Sequence, residues 1–584
     1  MVWWLSIMDI TKPLTSYTYN PLERPESIRI LALQPAAAFS APLAGSLLHD
    51  DRELILNDLT DTRQYETVSY AWGEPVFTHW ITLDGTTHLN CTANVDSMLR
   101  HLRKPHRQVR LWVDAICLNQ KDAGEKRVQV QLMGEIYQYA RKLHIWLGSG
   151  DNQDAVAVFH HLQHATSAAR LAKRKQPSIL TQVPWSSVQR LLRLPWFQRR
   201  WVVQEVELSS DITVHWTAKK LVWNMFLTGL QQLKASEEKG LDLISQKVLD
   251  AVCDLGKTPS TMLELLWTHH RAICLDPRDR LYSLFSLAND VTDFTPDQAR
   301  SASVLSRSAI DNQLFDYTCH WQSIYVRFAK MCLARGHFQE LLAHCCAFKS
   351  LSRNDINHPS WVPDWSIARH DGTLAAANFG TREIDFPTLS TSVLLQGKIS
   401  IDCQEYYVQD VFGGWSPSTG SDQIQTELEA ITRACHRRGT HPAKLLKMGI
   451  SNGIFKDDFR AMRRSLANSW LEPETSGFDD TDMHAFVYAM SKHQFYVCVD
   501  GDVGFGSTTL KAQDMIVRSR EGHNRFDPLF QLIGRESMAF GSHIHRIVGY
   551  VWHHGLVPSS RLPTSKRLRS YSCLRRPFVD VCLE

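Results

Sequence analysis

The chain has 584 residues, of which 43% are hydrophobic and 21% are charged, and its formal net charge at pH 7 is +3. These values are ordinary for a globular protein with a sizeable core, and the length corresponds to about three to four domains. The small net charge excludes a general attraction to nucleic acids or anionic membranes. The 13 cysteines include no C-x-x-C pair, which favours reduced thiols over a disulfide framework.

The amino-terminal sequence MVWWLSIMDI is apolar but lacks the basic residues with which a signal peptide begins. No stretch contains the ~20 consecutive apolar residues that a membrane-spanning helix requires. We therefore expect a cytoplasmic protein with no membrane span and no nucleic-acid partner.

The predicted elements begin with a strand at Ile28–Leu33, which follows two prolines that exclude a helix. A second strand is predicted at Tyr65–Trp72, ended by Gly73 and Pro75. Asp84-Gly85 then predicts a tight hairpin, because such turns require positive φ values. Asn94 is the predicted N-cap of a helix over Val95–Arg103, in which one face is apolar.

The stretch Val109–Gly148 changes its hydrophobic period twice. Alternating apolar residues predict a strand that ends at Asp114, apolar residues at three- and four-residue steps after Glu125 predict a helix, and Leu143–Leu147 predicts another strand. A strand, a crossover helix and a strand imply a parallel pair with a right-handed connection. Ligands of such sheets bind at the carboxyl ends of the strands, so Asp114 and the loop Ala115–Gln120 lie in the favoured place.

Further along, Pro195 begins a predicted helix at Trp196–Leu208, and a strand pair follows at Asp211–Trp216 and Lys220–Trp223. The prediction is an α/β fold with helices on the faces of a sheet, then an α-rich region and a mixed α+β region. The predicted boundaries are 1–64 for an extension with short strands, 65–223 for the α/β domain, 224–385 for the α-rich region, and 386–584 for the mixed region with its basic tail.

Three motifs resemble the fungal heterokaryon-incompatibility (HET) domain family. They are YETVSYAWGEP at Tyr65–Pro75, LWVDAICLNQ at Leu111–Gln120 with QVQLMGEIYQYARKLHIWLG after it, and PWFQRRWVVQEV at Pro195–Val206. Their order is that of the family. The resemblance implies allorecognition, that is non-self recognition after fusion of unlike hyphae, followed by programmed cell death. It also implies an incompatibility partner protein and assembly into a homo-oligomer on activation.

The HET family is similar in fold to TIR domains, so the resemblance also implies a flavodoxin/TIR-like parallel sheet with flanking helices. Some TIR domains cleave the nicotinamide–ribose bond of NAD with a glutamate in a W-x-x-x-E setting, and Trp201 and Glu205 keep that spacing. Residues four apart share one face of a helix, so the indole and the carboxylate would point into one cleft. A carboxylate there could stabilise an oxocarbenium-like transition state. Glu205 is therefore the candidate catalytic residue of an NAD glycohydrolase-like enzyme, with NAD as its substrate and no cofactor assigned.

The candidate ligand-binding residues follow the predicted strands or lie near Glu205; they are Ser69, Tyr70, Trp72, Asp114, Asn119 and Trp201. Structural alternatives stay open for them. Trp72 and Trp201 could be packing residues, the Asp114 carboxylate could accept amide hydrogens of its own loop, and Asn119 could fix that loop.

Glu205 has its own structural alternatives, which are an ion pair with Arg199 or Arg200 and the capping of a neighbouring loop. The function then has two alternatives to an enzyme, namely a non-enzymatic module that signals by assembly and a diverged paralogue with no incompatibility role.

Other signals predict no further site. The glycine-rich Gly501–Gly506 lacks the GK[ST] of a phosphate-binding loop, and we interpret it as a turn. The late histidines and Cys345-Cys346 lack the spacing of a zinc site, so no metal is predicted. The basic tail Ser565–Arg576 is predicted to be loosely packed.

Overall fold

The amino-terminal part of the computed structural model contains a mixed ten-stranded sheet. The residues that the structure describes are 15–24, 27–51, 64–173, 183–235, 240–255, 261–290, 315–335, 337–348, 359, 361–369, 399–415, 419–437, 442, 490, 493–499, 503–506, 510–512, 514–519, 529–534, 544–553 and 579–583. The chain divides into two units, Met1–Cys319 and His320–Glu584.

The strands of the first unit are numbered along the chain. They are β1 (Thr15–Ser16), β2 (Ser27–Leu33), β3 (Ala44–Asp51), β4 (Glu66–Tyr70), β5 (His79–Leu83), β6 (Thr87–Cys91), β7 (Val109–Trp112), β8 (Lys142–Trp146), β9 (Ile212–Trp216) and β10 (Lys219–Val222). Their order across the sheet is β1-β6-β5-β3-β2-β7-β4-β8-β9-β10. Strands β7, β4, β8 and β9 run parallel to one another, whereas β2 and β10 flank this group antiparallel.

Helices cover this sheet, which confirms the predicted α/β class. They are α1 (Ala93–Leu102), α2 (Asp114–Cys117), α3 (Ala123–Gln138), α4 (Asn152–Lys173), α5 (Trp185–Leu192), α6 (Val202–Glu207), α7 (Trp223–Ala235), α8 (Leu243–Cys253), α9 (Met262–Thr268) and α10 (Asp279–Tyr282). The predicted hairpin turn is also confirmed, because Asp84 and Gly85 both have positive φ values, of 52° and 73°.

Strand β4 corrects one prediction about the pairing of the strands. Strands β7 and β8 are parallel, but they are not neighbours, because β4 lies between them and pairs with both. All five residues of β4 are buried. Parallel strands that are covered on both faces are typically buried along their whole length, as β4 is. The carboxyl ends of β4 and β7 therefore meet at one edge of the sheet.

The N-cap of α1 is Thr92 and not the predicted Asn94. The Thr92 hydroxyl accepts a hydrogen bond from the Val95 amide at 3.4 Å. Asn94 lies inside the first turn, where its side chain donates to the Ala71 carbonyl at 2.6 Å and accepts from the Trp146 indole at 2.8 Å. Asn94 therefore joins α1 to the ends of β4 and β8.

The helix predicted at Trp196–Leu208 is interrupted in the structure. A 3-10 helix occupies Pro195–Gln198, Arg199 is extended, and α6 begins only at Val202. The break is stabilised by Ile273, whose carbonyl accepts from the Arg200 amide at 2.8 Å and whose own amide donates to the Gln198 carbonyl at 2.5 Å. The sequence pattern did not predict this break, because the partner segment is far away in the chain.

The second unit contains helices and a further sheet. Its helices are α11 (Trp321–Ala334), α12 (Phe338–Ala347) and α13 (Ser421–Arg437), and its strands are β11 (Ile399–Gly413), β12 (Gln494–Cys498), β13 (Val503–Gly506), β14 (Met515–Ser519), β15 (Leu529–Gly534), β16 (Ile544–His553) and β17 (Val579–Leu583). The order across this sheet is β12-β13-β16-β15-β14-β11-β17. Tyr496, Cys498, Leu510 and Ile516 form a buried apolar cluster in it.

The basic tail Ser565–Arg576 lies outside the described residues. Among the helices that are described, none combines the length and the apolar character that crossing a bilayer would require.

Candidate functional site

Ser69, Trp196 and Glu205 form the buried centre of the candidate site. The Ser69 hydroxyl donates a hydrogen bond to Glu205 Oε2, and the Trp196 indole donates to Ser69 Oγ at 2.7 Å. Each of the three residues is 1% exposed. The site forms because Ser69 lies near the carboxyl end of β4, Trp196 on the 3-10 helix and Glu205 on α6.

Arg199 supplies the positive charge next to Glu205. Its guanidinium nitrogens lie 3.3 Å from Oε1 and 3.4 Å from Oε2 of Glu205, distances at the long end of the hydrogen-bonding range. The Arg199 side chain is 20% exposed, whereas that of Glu205 is 1% exposed. The ion pair predicted as the structural alternative for Glu205 is thus present, with Arg199 as the partner. Arg200 bonds elsewhere, to the carbonyls of His269 and Arg280.

A second carboxylate, that of Asp114, lies at the same edge of the sheet. Asp114 directly follows the Val113 that ends the β7 segment, and it accepts hydrogen bonds from the Tyr70 hydroxyl at 2.7 Å and from the Trp72 indole at 2.8 Å. Its Oδ1 also accepts the Ala115 amide hydrogen at 2.7 Å. Asp114 therefore accepts a backbone amide hydrogen, as the structural alternative proposed, although that amide lies in α2 and not in a loop, and it also joins the ends of β4 and β7. Trp72 is 41% exposed and forms the outer rim of this group.

Electrostatics link the two carboxylates. Burial raises the pKa of Glu205, the Arg199 charge and the Ser69 hydrogen bond oppose that rise, and the Asp114 charge adds to it. Burial lowers the pKa of Arg199, but Glu205 and Asp114 outweigh this effect and leave it raised. One guanidinium thus interacts with both carboxylates. Burial and the Asp114 charge likewise raise the pKa of Tyr70, which keeps its hydroxyl protonated as a donor.

Trp201 has a different environment from Glu205. It lies at the N-cap of α6, and its indole donates to Asp279 Oδ2 at 3.2 Å, while the Tyr317 hydroxyl donates to Asp279 Oδ1 at 2.7 Å. The expectation was that Trp201 and Glu205 would point into one cleft, but their hydrogen bonds go to separate groups. The tryptophan that contacts the Ser69–Glu205 pair is Trp196, five residues earlier, and the sequence analysis did not select it.

Asn119 fixes the loop after β7. Its side-chain oxygen accepts a hydrogen bond from the Lys121 backbone amide at 3.3 Å, and its backbone amide donates to Glu125 Oε1 at 2.8 Å. The Arg29 guanidinium bonds both oxygens of Glu125, at 2.5 and 2.9 Å. Asn119 and Arg29 therefore hold the loop and the start of α3 against β2. None of these hydrogen bonds goes to Asp114.

The chemistry of this site is that of carboxylates. Within the ranges that the structure describes, His, Cys, Asp and Glu side chains form no group of three or more that could hold a metal ion. Two carboxylates, one guanidinium, a serine and a tyrosine hydroxyl converge at the carboxyl edge of a parallel strand pair. Such a set can bind hydroxyl groups, pair with an anion and stabilise a positive charge that develops in a reaction.

The fold and the site define an α/β protein whose buried carboxylate lies at the carboxyl edge of its parallel strands. Residues 65–205, which carry every element of that site, match the family model described as "Heterokaryon incompatibility protein (HET)". The family model and the three motifs therefore agree on a HET domain at residues 65–205.

A relative supports this family assignment over a longer stretch. The chain is 28% identical over 429 residues to "Heterokaryon incompatibility protein 6, OR allele" of Neurospora crassa, and the match covers 60% of this chain and 60% of that protein. The chain thus aligns with less than two thirds of the relative's length. No solved structure matches the chain.

Proposed function

We propose that this chain acts in heterokaryon incompatibility together with a partner protein, and that its HET domain is the effector, which hydrolyses the nicotinamide–ribose bond of NAD. The observation that carries the proposal is the buried Glu205, held by Ser69 at the carboxyl end of β4 and kept close to Asp114 and Arg199. Support for the biological role comes from the family model and the Neurospora relative.

In the proposed reaction the bond between C1′ of the ribose and the nicotinamide nitrogen breaks, and the bonding electron pair leaves with nicotinamide. A water oxygen bonds to C1′ and loses one proton, which gives ADP-ribose. Because the ribose carries positive charge in the transition state, the Glu205 carboxylate stabilises that state by Coulombic attraction. Ser69 keeps the carboxylate aimed at one position by its hydrogen bond.

Arg199 would bind the diphosphate of the substrate. A planar guanidinium suits bidentate pairing with phosphate oxygens, and its present contacts with Glu205 are long, at 3.3 and 3.4 Å. A diphosphate that takes over the guanidinium would leave Glu205 free for the ribose. The exposed Trp72 indole, at the rim, offers a flat surface for the nicotinamide ring.

Nicotinamide release by the purified full-length chain tests this proposal. We expect Glu205→Gln and Glu205→Ala to lower the rate by about 100-fold or more, as is typical for the loss of one electrostatic contact to a transition state. Glu207→Gln, on the same short helix, is the matched control and should keep the wild-type rate. Equal nicotinamide release by wild type and Glu205→Gln would remove Glu205 from the mechanism.

The alternative is a non-enzymatic module that signals by assembly into a homo-oligomer. Expression in fungal cells separates the two functions. The enzyme requires that toxicity comes with a fall in NAD and disappears in Glu205→Gln. Toxicity that leaves NAD unchanged and persists in Glu205→Gln would establish assembly instead.

A further inference from the structure

Three polar side chains contact one another in a row across one face of the sheet, away from the candidate site. Glu66 Oε2 lies 2.7 Å from His144 Nε2, and His144 Nδ1 lies 3.0 Å from His215 Nε2. Glu66 and His144 are each 7% exposed, and His215 is half-buried. Since a carboxylate can only accept, His144 Nε2 carries the proton in the contact with Glu66.

Three lysines surround the two histidines. Lys142 precedes His144 by two residues on β8 and so lies on the same face, and Lys220 of β10 pairs directly opposite His215 of β9. Lys104 follows α1 and interacts electrostatically with Glu66 and with His215. We call Lys104, Lys142, Lys220, His144 and His215 the basic face.

The charges of the basic face act on one another strongly. Burial, His144, Lys104, Lys220 and Lys142 together lower the pKa of His215 to about 3. Burial also lowers the pKa of Lys104, Glu66 opposes that shift, and Lys220, Arg107 and Lys142 add to it. The cations therefore lie close enough together to repel one another in the free protein.

Among the described residues, two carboxylates contact this group, fewer than its three lysines. Glu66 is already paired with Arg141, and Asp211 bonds Lys142 at 3.2 and 3.4 Å. Lys220 is exposed, Lys104 is half-buried, and the Lys142 side chain is 27% exposed, so a small molecule can reach all three. A concentration of lysine charge on one face is the arrangement that an anion would stabilise.

We propose that the basic face is a binding site for a compact polyanion that carries adjacent phosphate groups, with Lys104, Lys142 and Lys220 as the charged contacts. Lysine ammonium groups bind phosphate oxygens as mobile point charges. Because its lowered pKa keeps His215 neutral, its ring carries a single N–H, and it would contribute at most one weak contact to the anion.

This site is independent of the function proposed above. Glu66 and Ser69 are three residues apart on β4, so their side chains lie on opposite faces of the sheet, and Lys142 begins β8 whereas Asp114 follows the carboxyl end of β7. Loss of anion binding would thus leave the Glu205 proposal standing, and an inactive Glu205 variant should bind the anion normally.

Calorimetric titration of the full-length chain with inorganic pyrophosphate tests the proposal. We expect saturable binding that weakens about tenfold or more in Lys104→Gln and in Lys220→Gln, since the loss of one charge-assisted contact is worth roughly that factor. Lys219→Gln is the matched control, because Lys219 is exposed and adjacent on β10 but faces the other side of the sheet. It changes the same net charge and should retain the wild-type affinity.

Two further results decide the proposal. The imidazole NMR signals of His144 and His215 should shift on addition of pyrophosphate in the wild type and in Lys219→Gln. Without the anion, Lys220→Gln should melt no lower than the wild type, because it removes a repulsion. No saturable binding, equal weakening by Lys219→Gln, or unmoved histidine signals would each overturn the proposal.

Discussion

Ser69 and Glu205 are 136 residues apart in the chain, yet the hydroxyl of the first donates to the buried carboxylate of the second. The contact joins the carboxyl end of β4 to α6, and Trp196 completes it by donating to the same serine oxygen at 2.7 Å. Serine is suited to this position because its hydroxyl donates and accepts at once. The pair therefore combines a structural link with a means of keeping the carboxylate oriented.

Ser69→Ala is expected to destabilise the protein by about 1–3 kcal/mol, because the Trp196 N–H and a Glu205 oxygen would both lose a buried partner. It should also raise the pKa of Glu205 further, since the Ser69 bond lowers it. Urea unfolding measures the first effect. Ser97→Ala, whose hydroxyl contacts Ser149 at the surface, should stay within about 0.5 kcal/mol of the wild type. Equal effects of the two variants would contradict the role given to Ser69.

The sequence predicts the elements of this fold well where the hydrophobic period is clear. The helix after Glu125 and the strands on either side of it follow from the pattern, and so does the Asp84-Gly85 turn. The position of β4 between β7 and β8 does not follow from the hydrophobic period. Whether β7 pairs with β8 or with β4 depends on which strand is inserted between them, and the period along a single strand carries no such information.

The sequence also predicts part of the candidate site. Strand-end positions led to Ser69, Tyr70 and Asp114, which the structure brings to one edge. The W-x-x-x-E spacing selected Trp201 and missed Trp196, because Trp196 lies on a separate 3-10 helix before the backbone break at Arg199. That break depends on hydrogen bonds with Ile273, a contact across more than seventy residues that no local pattern reveals.

Asp114→Ala is expected to destabilise the protein by about 1–3 kcal/mol, because the Tyr70 hydroxyl, in a residue 1% exposed, would be left without its acceptor. The Trp72 indole should add little, since it is exposed and water can replace the carboxylate. A double-mutant cycle with Tyr70→Phe measures the coupling. The double variant should be more stable than the sum of the two single effects, and strict additivity would contradict the Tyr70–Asp114 contact.

Arg29→Met is expected to cost about 3–5 kcal/mol, because it leaves the largely buried Glu125 carboxylate without its cation. The variant also loses the guanidinium bonds to the carbonyls of Asn20 and Cys117. Denaturant unfolding gives the free energy. Lys234→Met is the control, since the Lys234–Asp250 pair is 36% and 46% exposed and should be worth less than about 1 kcal/mol. A small effect of Arg29→Met would show that the loop before α3 folds without this pair.

Asp279 and Asp276 are three residues apart but have pKa shifts of opposite sign. Burial raises the pKa of Asp279 from 3.8 to about 6, although the hydrogen bonds from Tyr317 and Trp201 oppose the shift. Burial also raises the pKa of Asp276, but its bonds with Arg278 outweigh that effect and leave it below 3.8. The two carboxyls should therefore change the stability in opposite directions as the pH is varied.

Because folded Asp279 holds its proton more tightly than the unfolded chain does, its stabilising contribution is complete below pH 3.8 and is lost as the pH rises to about 6. The loss is on the order of 3 kcal/mol. In unfolding measurements at a series of pH values, the stability of the wild type relative to Asp279→Asn should fall by this amount across that interval. Relative to Asp276→Asn, the stability of the wild type should instead rise with increasing pH, since the lowered pKa of Asp276 stabilises the fold at higher pH. Slopes of the same sign for the two variants would show that the burial of Asp279 does not control its proton.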